Sequence, residues 1–438
     1  MSKVVSLPSR KRSTDNDASP ELLFARHMAA QDKYASKDAV LHEWTGVYWR
    51  PIPQEDLERT AWQWIAAQVP EKTTPQRAAA AAQSAILQCP MVPERDTARI
   101  VVPARNGYIW MEEEEGIPSL RSPDQGIGLT YCLACDYEEH TEAPDFRAFL
   151  SEVLPDPAVR RLVQEYVGYT LIPDTRFQKA QMWLGVGANG KGTLAQIVAA
   201  LHEKVCAVNL ENLHGFALVG LIGASLVYVD ETPVRIEEQR LKTLISGDLI
   251  QIDRKYRDPL SLRPSAKWVI CANQVPAISD QSAGFWRRWH IVPFPVRFSD
   301  AEQRPTLARD IIATDLSGVL NWALKGLSRL LARGKFPPLP ESVQSAIDTG
   351  KRDTNSVMAW VDEVELQVTT NAATPKEAVY QHYQGWCRQN GMVALSSNRF
   401  WQRLLQIMDF REERPRTGGR RRRLVPLGSP LFQIAWED

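Results

Sequence analysis

Hydrophobic and polar positions follow two different periods through the middle of the chain. Between residues 173 and 300, apolar runs of strand length alternate with segments whose apolar residues recur every three or four positions. The apolar runs predict strands over 181–184, 225–229, 267–272 and 291–294. Strands that alternate with helical patterns indicate an α/β unit.

The segments before this unit are predicted to be mostly helical. Helical patterns cover 55–67, 71–85, 145–150 and 156–171, and a hairpin with an aromatic face is predicted over 44–49. The first residues are polar and rich in Ser, Asp, Asn and Pro, which is typical of disorder. The sequence therefore predicts a disordered tail over 1–20 and a mostly helical domain over 21–172.

The segments after the unit divide at a run of prolines. An amphipathic helix is predicted over 316–332, and the prolines within 337–340 mark a break beyond it. We therefore expect the α/β domain to cover 173–345 and a compact unit to cover 355–438. The compact unit is predicted to hold helices over 376–389 and 397–408 and a β-ribbon over 410–427. Two helices followed by a ribbon are the outline of a winged helix.

The composition limits the classes of protein that the chain can represent. No apolar stretch among the 438 residues is long enough to span a bilayer. Lys and Arg total 52, as do Asp and Glu, so the formal net charge is zero and attraction to nucleic acid must come from local clusters. Six scattered cysteines and the lack of an apolar signal segment indicate a cytoplasmic protein that does not bind membranes.

A glycine-rich loop joins the first predicted strand to a helical pattern over 194–202. Its sequence over 185–193, Gly-Val-Gly-Ala-Asn-Gly-Lys-Gly-Thr, is typical of a phosphate-binding P-loop. Glycines let successive N–H groups face the phosphates, the helix N-terminus adds positive charge, and Lys191 reaches the β- and γ-phosphate oxygens. The alternative is an ordinary turn before a helix. The predicted ATP-binding residues are Gly185, Gly187, Asn189, Gly190, Lys191, Gly192 and Thr193.

The position after the lysine departs from the general P-loop pattern. A Ser or Thr usually follows the lysine, and its hydroxyl binds Mg²⁺. Here Gly192 follows, and the hydroxyl comes one position later, at Thr193. Either Thr193 reaches the metal or a water molecule fills the gap.

Two later strands end in polar residues that suit ATP hydrolysis. Asp230 and Glu231 follow the strand over 225–229, and we expect Asp230 to hold Mg²⁺ and Glu231 to polarise the attacking water. Asn273 follows the strand over 267–272 and would position that water or sense the γ-phosphate. An acidic pair or an asparagine after a strand is common by itself, so the spacing from the P-loop carries this interpretation.

Basic residues form two candidate contacts with DNA. The segment over 242–263 predicts a β-hairpin with Arg254, Lys255 and Tyr256 at its tip, which would grip a DNA strand in a ring channel. The ribbon of the C-terminal unit carries a basic run that is either a solvated face or a phosphate contact. That run consists of Arg420, Arg421, Arg422 and Arg423.

Paired arginines follow the strand that ends in Asn273. Arg288, with Arg287 as the runner-up, is the candidate arginine finger, a guanidinium that stabilises the transferred phosphoryl group from a neighbouring subunit. Arg288 is preferred because the apolar run over 291–294 would anchor it at the start of a core strand. The alternative is a surface stack of arginine on tryptophan.

In this order the motifs resemble the superfamily 3 helicases, and closely the phage/plasmid primase–helicase family that includes satellite-phage and poxvirus replication proteins. The matching segments are Gly-Val-Gly-Ala-Asn-Gly-Lys-Gly-Thr, Val-Tyr-Val-Asp-Glu, Ser-Gly-Asp-Leu-Ile with Arg-Lys-Tyr, Cys-Ala-Asn-Gln-Val-Pro, and Phe-Trp-Arg-Arg-Trp-His-Ile-Val-Pro-Phe. The resemblance is strong over 180–325 and weaker upstream. The Lys-Gly-Thr ending resembles that of the P-loop in this family, so Gly192 does not argue against ATPase activity.

The resemblance implies an AAA+-like P-loop ATPase core with a helical N-terminal collar and a C-terminal winged helix. It also implies a hexameric ring that uses ATP and Mg²⁺ to unwind DNA, in the 3′→5′ direction. Too little chain precedes the family region to hold a primase domain, so we expect the helicase portion alone, working with other replication proteins.

Two other functions fit parts of the sequence. One is a DNA-bound ATPase that loads or regulates replication without processive unwinding, and the other is a degenerate P-loop scaffold. The residues Lys191, Asp230, Glu231, Asn273 and Arg288 are all present, which argues against the scaffold. We therefore expect an ATP-dependent DNA helicase of a phage, plasmid or integrated mobile element.

Overall fold

The computed structural model describes residues 18–96, 99–111, 118–254, 257–369, 374–413, 416–417, 420–421 and 423–430. Most of the predicted tail over 1–20, together with Lys255, Tyr256 and Arg422, lies outside the described residues. None of the helices within the described ranges has the length and apolar character needed to cross a membrane.

Helices and a small antiparallel sheet form the first part of the chain. They are α1 (Pro20–Ala29), β1 (Tyr34–Lys37), β2 (Val40–Trp44), β3 (Trp49–Pro51), α2 (Gln54–Gln68) and α3 (Pro75–Gln88). The buried face of α3 is mostly alanine, and this small face lets α3 pack closely on α1 and α2. The predicted hairpin over 44–49 is confirmed, because Trp44 and Trp49 are paired across it with their rings 5.5 Å apart.

A second antiparallel sheet and two helices lead into the middle of the chain. They are β4 (Val101–Ala104), β5 (Gly107–Met111), β6 (Pro118–Arg121), α4 (Pro144–Val153) and α5 (Pro157–Thr170). The pattern over 21–172 predicted a mostly helical domain, whereas the described part of this region also holds two three-stranded sheets. Apart from the hairpin, these strands were not predicted. Polar residues interrupt β1 and β6, and Pro103 interrupts β4, so none of these three forms a continuous apolar run.

A parallel sheet in the order β13-β7-β12-β9-β8 is the central layer of the described residues. Its strands and connecting helices are β7 (Ala180–Leu184), α6 (Lys191–Ala200), β8 (Val205–Cys206), β9 (Leu226–Val229), α7 (Glu238–Ser246), β12 (Lys267–Ala272), α8 (Ala283–Trp286) and β13 (Trp289–Pro293). A separate antiparallel hairpin, β10 (Ile250–Arg254) and β11 (Arg257–Leu262), lies between α7 and β12 in the chain. The predicted α/β class is therefore confirmed, and β12 is buried along its whole length, as a covered parallel sheet requires.

Helix α9 (Leu307–Arg333) crosses α5 so closely that the two backbones meet at glycines. A Cβ atom on Gly168 would lie 2.5 Å from the carbonyl oxygen of Ala323. A Cβ atom on Gly326 would lie 2.4 Å from the carbonyl oxygen of Gln164. Since real Cβ atoms do not approach backbone so closely, this crossing requires glycine at both positions.

The same interface holds a buried ion pair. The Glu165 carboxylate is fully buried and pairs with Arg329 at 3.4 Å and with Arg333. The surrounding hydrophobic core is continuous from Val102 to Ile347, so it includes residues on both sides of the boundary predicted between 172 and 173. The boundary itself stays a prediction.

The C-terminal elements form a second hydrophobic core beyond α10 (Glu341–Thr354), which packs on β13. They are α11 (Ser356–Glu363), β14 (Gln367–Val368), β15 (Thr374–Pro375), α12 (Lys376–Gln389), α13 (Ser397–Ile407), β16 (Arg416–Thr417), β17 (Arg420–Arg421), β18 (Leu424–Val425) and β19 (Leu427–Gly428). The structure confirms the helix predicted over 376–389 and ends the next helix one residue before the predicted 408. β16 and β17 pair antiparallel, as a ribbon would, and the winged-helix assignment stays a prediction.

Candidate functional site

The carboxyl ends of four parallel strands meet at one edge of the central sheet. In the strand register, Leu184 at the end of β7 lies beside Ala272 of β12 and beside Pro293 of β13. The predicted P-loop, Asp230 with Glu231, and Asn273 each follow one of these strand ends, so the fold brings them to the same edge. Crevices outside the carboxyl ends of parallel strands are where α/β folds bind ligands.

The loop over 185–190 has a backbone that only glycines allow at two points. Gly190 takes φ of +83° as the N-cap of α6, and a Cβ there would lie 2.4 Å from Cγ1 of Val153. A Cβ on Gly185 would lie 2.3 Å from Nδ2 of Asn189. The Phe298 N–H donates to the carbonyl of Ala188 at 2.8 Å, which ties the loop to the segment after β13.

Lys191 opens α6 and lies inside this loop. Its ammonium donates to the carbonyl oxygen of Gly185 at 2.5 Å and to Oδ1 of Asn189 at 3.1 Å. Burial lowers the pKa of Lys191, while the nearby Cys271 and Asp230 raise it. The Asn189 side chain is buried as well, and its Nδ2 atom has no hydrogen-bond partner among the described residues. A cation at a helix N-terminus, with an unsatisfied donor beside it, is an environment that attracts an anion.

The acidic pair follows β9 and is open to solvent. Asp230 and Glu231 are both exposed, and the Tyr228 hydroxyl donates to Oδ1 of Asp230. The Thr232 hydroxyl donates to the Cys271 carbonyl at 2.7 Å, which fixes the chain directly after the pair. These carboxylates and the Thr193 hydroxyl are the hard oxygen donors that Mg²⁺ prefers. Among the described residues, no group of three or more His, Cys, Asp or Glu is arranged to hold a metal, and Mg²⁺ in nucleotide sites is held by one or two carboxylates with phosphates and water.

A largely apolar cavity adjoins the strand ends. Its volume is about 610 Å³, and it lies between the N-terminal part of α5, the ends of β7 and β12, and α10. Apolar contacts come from Val159, Leu184, Val275 and Ala346, and the exposed Asn273 stands at its wall. The position and polarity of the cavity suit a flat heteroaromatic group attached to a phosphate chain in the loop.

The paired arginines lie at the opposite edge of the sheet, before the first residue of β13. A strand of five residues separates them from the loop, a distance of about 16 Å. The Arg288 guanidinium donates to Oγ of Ser246 at 2.7 and 2.9 Å and to the carbonyl of Gly284, and burial lowers its pKa. Arg287 is exposed and donates to Gln178 at 3.1 Å. Neither arginine therefore reaches the predicted P-loop of the same chain.

The basic residues predicted to contact DNA are only partly described. Arg254 ends β10 opposite Arg257, while Lys255 and Tyr256 between them lie outside the described residues. The backbones of Arg420 and Arg421 form β17, and Arg422 is not described. Arg423 pairs with Glu412 at 3.6 Å, which neutralises part of the basic run.

Two contacts of these elements were not predicted from the sequence. The hydrogen bond from the Tyr228 hydroxyl to Asp230 could have been inferred from the sequence, because residues two apart along an extended chain share a face. The bond between Arg288 and Ser246 joins residues 42 positions apart, and no local pattern signals it.

Two families match parts of the chain. A family of unknown function (DUF5906) matches residues 183–288, and the poxvirus D5 protein-like family matches residues 352–426. The first match covers the P-loop, acidic pair and paired arginines, and the second covers most of the C-terminal unit.

Two viral relatives match at low identity. "Putative helicase L207/L206" of Acanthamoeba polyphaga mimivirus is 24% identical over 204 residues, which cover 42% of this chain and 21% of that protein. "Putative helicase 121R" of Invertebrate iridescent virus 3 is 24% identical over 184 residues, which cover 38% of this chain and 20% of that protein. The chain thus spans about a fifth of the length of these relatives.

The apo structure of the NrS-1 C-terminal region is similar over 94% of this chain and 100% of that one, with a TM-score of 0.54 and 12% identity. At this identity the similarity shows a shared fold. The poxvirus D5 protein-like match and the two viral relatives agree with a resemblance to the D5-type primase–helicases over the parts of the chain that they cover.

Proposed function

We propose that this chain is an ATP-dependent DNA helicase that works in the cytoplasm as a hexameric ring and moves 3′→5′ on DNA. The observation that supports it is the meeting of Lys191, Asp230, Glu231 and Asn273 with a glycine-rich loop at one sheet edge. The superfamily 3 affiliation and the AAA+-like core are parts of the same proposal.

In this proposal each polar group has one task. Backbone N–H groups of the loop and the Lys191 ammonium bind the phosphates, and the apolar cavity beside Leu184 holds the base. Asp230 and Thr193 would hold Mg²⁺, which neutralises charge on the phosphates. Glu231 accepts a proton from the attacking water, and Asn273 orients that water.

DNA would bind at two places. The hairpin tip, with Arg254, Lys255 and Tyr256, would contact a single strand in the ring channel through phosphate charge and base stacking. The C-terminal unit would bind duplex DNA as a winged helix, through the basic run that ends at Arg423. Other replication proteins would then act on the separated strands.

Two variants test the ATPase assignment. Lys191→Ala should lower ATP turnover by about 100-fold or more, because it removes charged bonds worth about 1.5–3 kcal/mol each. Glu231→Gln should bind ATP normally and hydrolyse it about 10²–10⁴-fold more slowly, because an amide is not a base. ATP binding by filtration and phosphate release give the two readouts, and wild-type turnover in Glu231→Gln contradicts the assignment.

A third variant separates unwinding from loading. Lys255→Ala should retain ATP hydrolysis while strand displacement falls about tenfold, because a phosphate contact in the channel is lost. Arg254→Ala should show a weaker effect in the same assay. If the wild-type protein shows DNA-stimulated hydrolysis without strand displacement, the loading ATPase is the better description.

A further inference from the structure

Tyr228 is the one polar side chain within β9, whose other residues are Leu226, Val227 and Val229. A phenylalanine would give the same apolar contacts, so the hydroxyl needs a separate explanation. Its proton is donated to Oδ1 of Asp230, two residues further along the same face. The hydroxyl therefore acts on the residue to which we assign the metal.

The neighbouring strand β12 also contacts the Tyr228 hydroxyl. Val229 pairs with Ile270 in the parallel register, so Asp230 comes next to Cys271. The Cys271 thiol contacts the Tyr228 hydroxyl, and Cys271 is itself close to Lys191. The half-buried Tyr228 side chain thus contacts Cys271 of β12 and donates its hydroxyl proton to Asp230.

The P-loop has free space where a hydroxyl usually stands. Gly192 follows the lysine, and a Cβ atom built on it meets no atom within 4 Å. Gly192 lies in the first turn of α6 without a positive φ, so a serine fits there without strain. The chain therefore leaves this hydroxyl out, although nothing in the described structure blocks it.

We propose that Tyr228 is a positioning residue that holds the Asp230 carboxylate for Mg²⁺ and, together with Thr193, compensates for the hydroxyl missing at Gly192. The inference rests on the proposed function. A bond to Oδ1 fixes the rotation of the carboxylate and leaves Oδ2 free for the metal. Partners that orient a metal ligand in this way change metal affinity about 10–100-fold when they are removed.

The test measures binding of a fluorescent ATP analogue to the full chain during titration with Mg²⁺. Tyr228→Phe should bind the analogue without Mg²⁺ as the wild type does, and should need about tenfold more Mg²⁺ for the metal-dependent increase in affinity. The matched control is Tyr48→Phe, because Tyr48 donates to Glu203 at 2.7 Å and lies outside the proposed site. Thermal melting of both variants without ligand checks that each is folded.

A rescue variant separates positioning from a general loss of packing. Gly192→Ser in the Tyr228→Phe background should return the Mg²⁺ midpoint toward that of the wild type. An unchanged midpoint in Tyr228→Phe, or a raised midpoint that Gly192→Ser does not lower, overturns the inference. Failure of the wild-type chain to bind the analogue at all overturns the proposed function instead.

Discussion

The polar residues at the two edges of the central sheet differ in exposure and in hydrogen-bond partners. At the amino edge, Lys179 donates to the Arg287 carbonyl at 2.5 Å, and Lys267 donates to the Ser265 carbonyl at 2.7 Å. At the carboxyl edge, Asp230, Glu231 and Asn273 are exposed. Cations at the first edge are thus engaged within the chain, while acids and amides at the second are available to a ligand.

Burial accounts for the contrast. It lowers the pKa of Lys267 to about 7 and that of Lys179 to about 8, and each ammonium is bonded to backbone carbonyls. These lysines fill a structural role, since they satisfy carbonyls where strands begin. A charged residue beside a strand therefore does not by itself indicate a binding site.

The largest expected effect concerns Arg288, which lies at the amino edge of the sheet although the sequence predicts a catalytic role for it. If it acts on the neighbouring subunit, Arg288→Ala should lower ATP turnover about 10³-fold or more, as for arginine fingers in GTPases. Mixed rings of Arg288→Ala and Lys191→Ala protomers should recover part of the activity, because some interfaces combine an intact P-loop with an intact finger. Turnover is measured across mixing ratios after hexamers are verified by native mass spectrometry.

The neighbouring arginine is the matched control for that experiment. Arg287 is exposed and makes its bond to Gln178, so Arg287→Ala should change turnover less than tenfold. If verified hexamers recover no activity at any mixing ratio, Arg288 has a structural role at the amino edge, like Lys179 and Lys267.

The next effect tests the proposed ligand-binding edge through its backbone. Gly190→Ala should destabilise the protein by about 3 kcal/mol, because alanine must adopt a positive φ and overlap Val153. Gly192→Ala should stabilise it by about 0.5 kcal/mol, since that site is open and helical. Urea denaturation compares the two, and equal losses would show that the loop is not held as described.

The smallest effect concerns the serine that holds Arg288. Ser246→Ala should cost about 1.5 kcal/mol of stability, because the guanidinium keeps its bond to the Gly284 carbonyl. If Arg288 is catalytic, the ATP turnover of Ser246→Ala should stay within about threefold of wild type, far above that of Arg288→Ala. Similar turnover and melting temperature in the two variants would indicate that Arg288 serves only to anchor α7 to α8.

Sequence periodicity located the elements that form a long helical pattern or an uninterrupted apolar run. It located β7, β9 and β12 with the polar residues that follow them, and it gave both ends of α12. It missed β4 and β6, because a proline or polar residues interrupt their apolar runs. The apolar cavity was also beyond prediction, because Val159 and Ala346 become neighbours only through the packing of α10 on β13.

The crossing of α5 and α9 has a mechanical consequence. Backbone contact at Gly168 and Gly326, locked by the buried Glu165, leaves the two helices no freedom to slide. Helix α5 leads into β7, and α9 is about 40 Å long. We therefore expect α5 and α9 to move as one body, with the connection over 171–179 between that body and the strand that carries the loop.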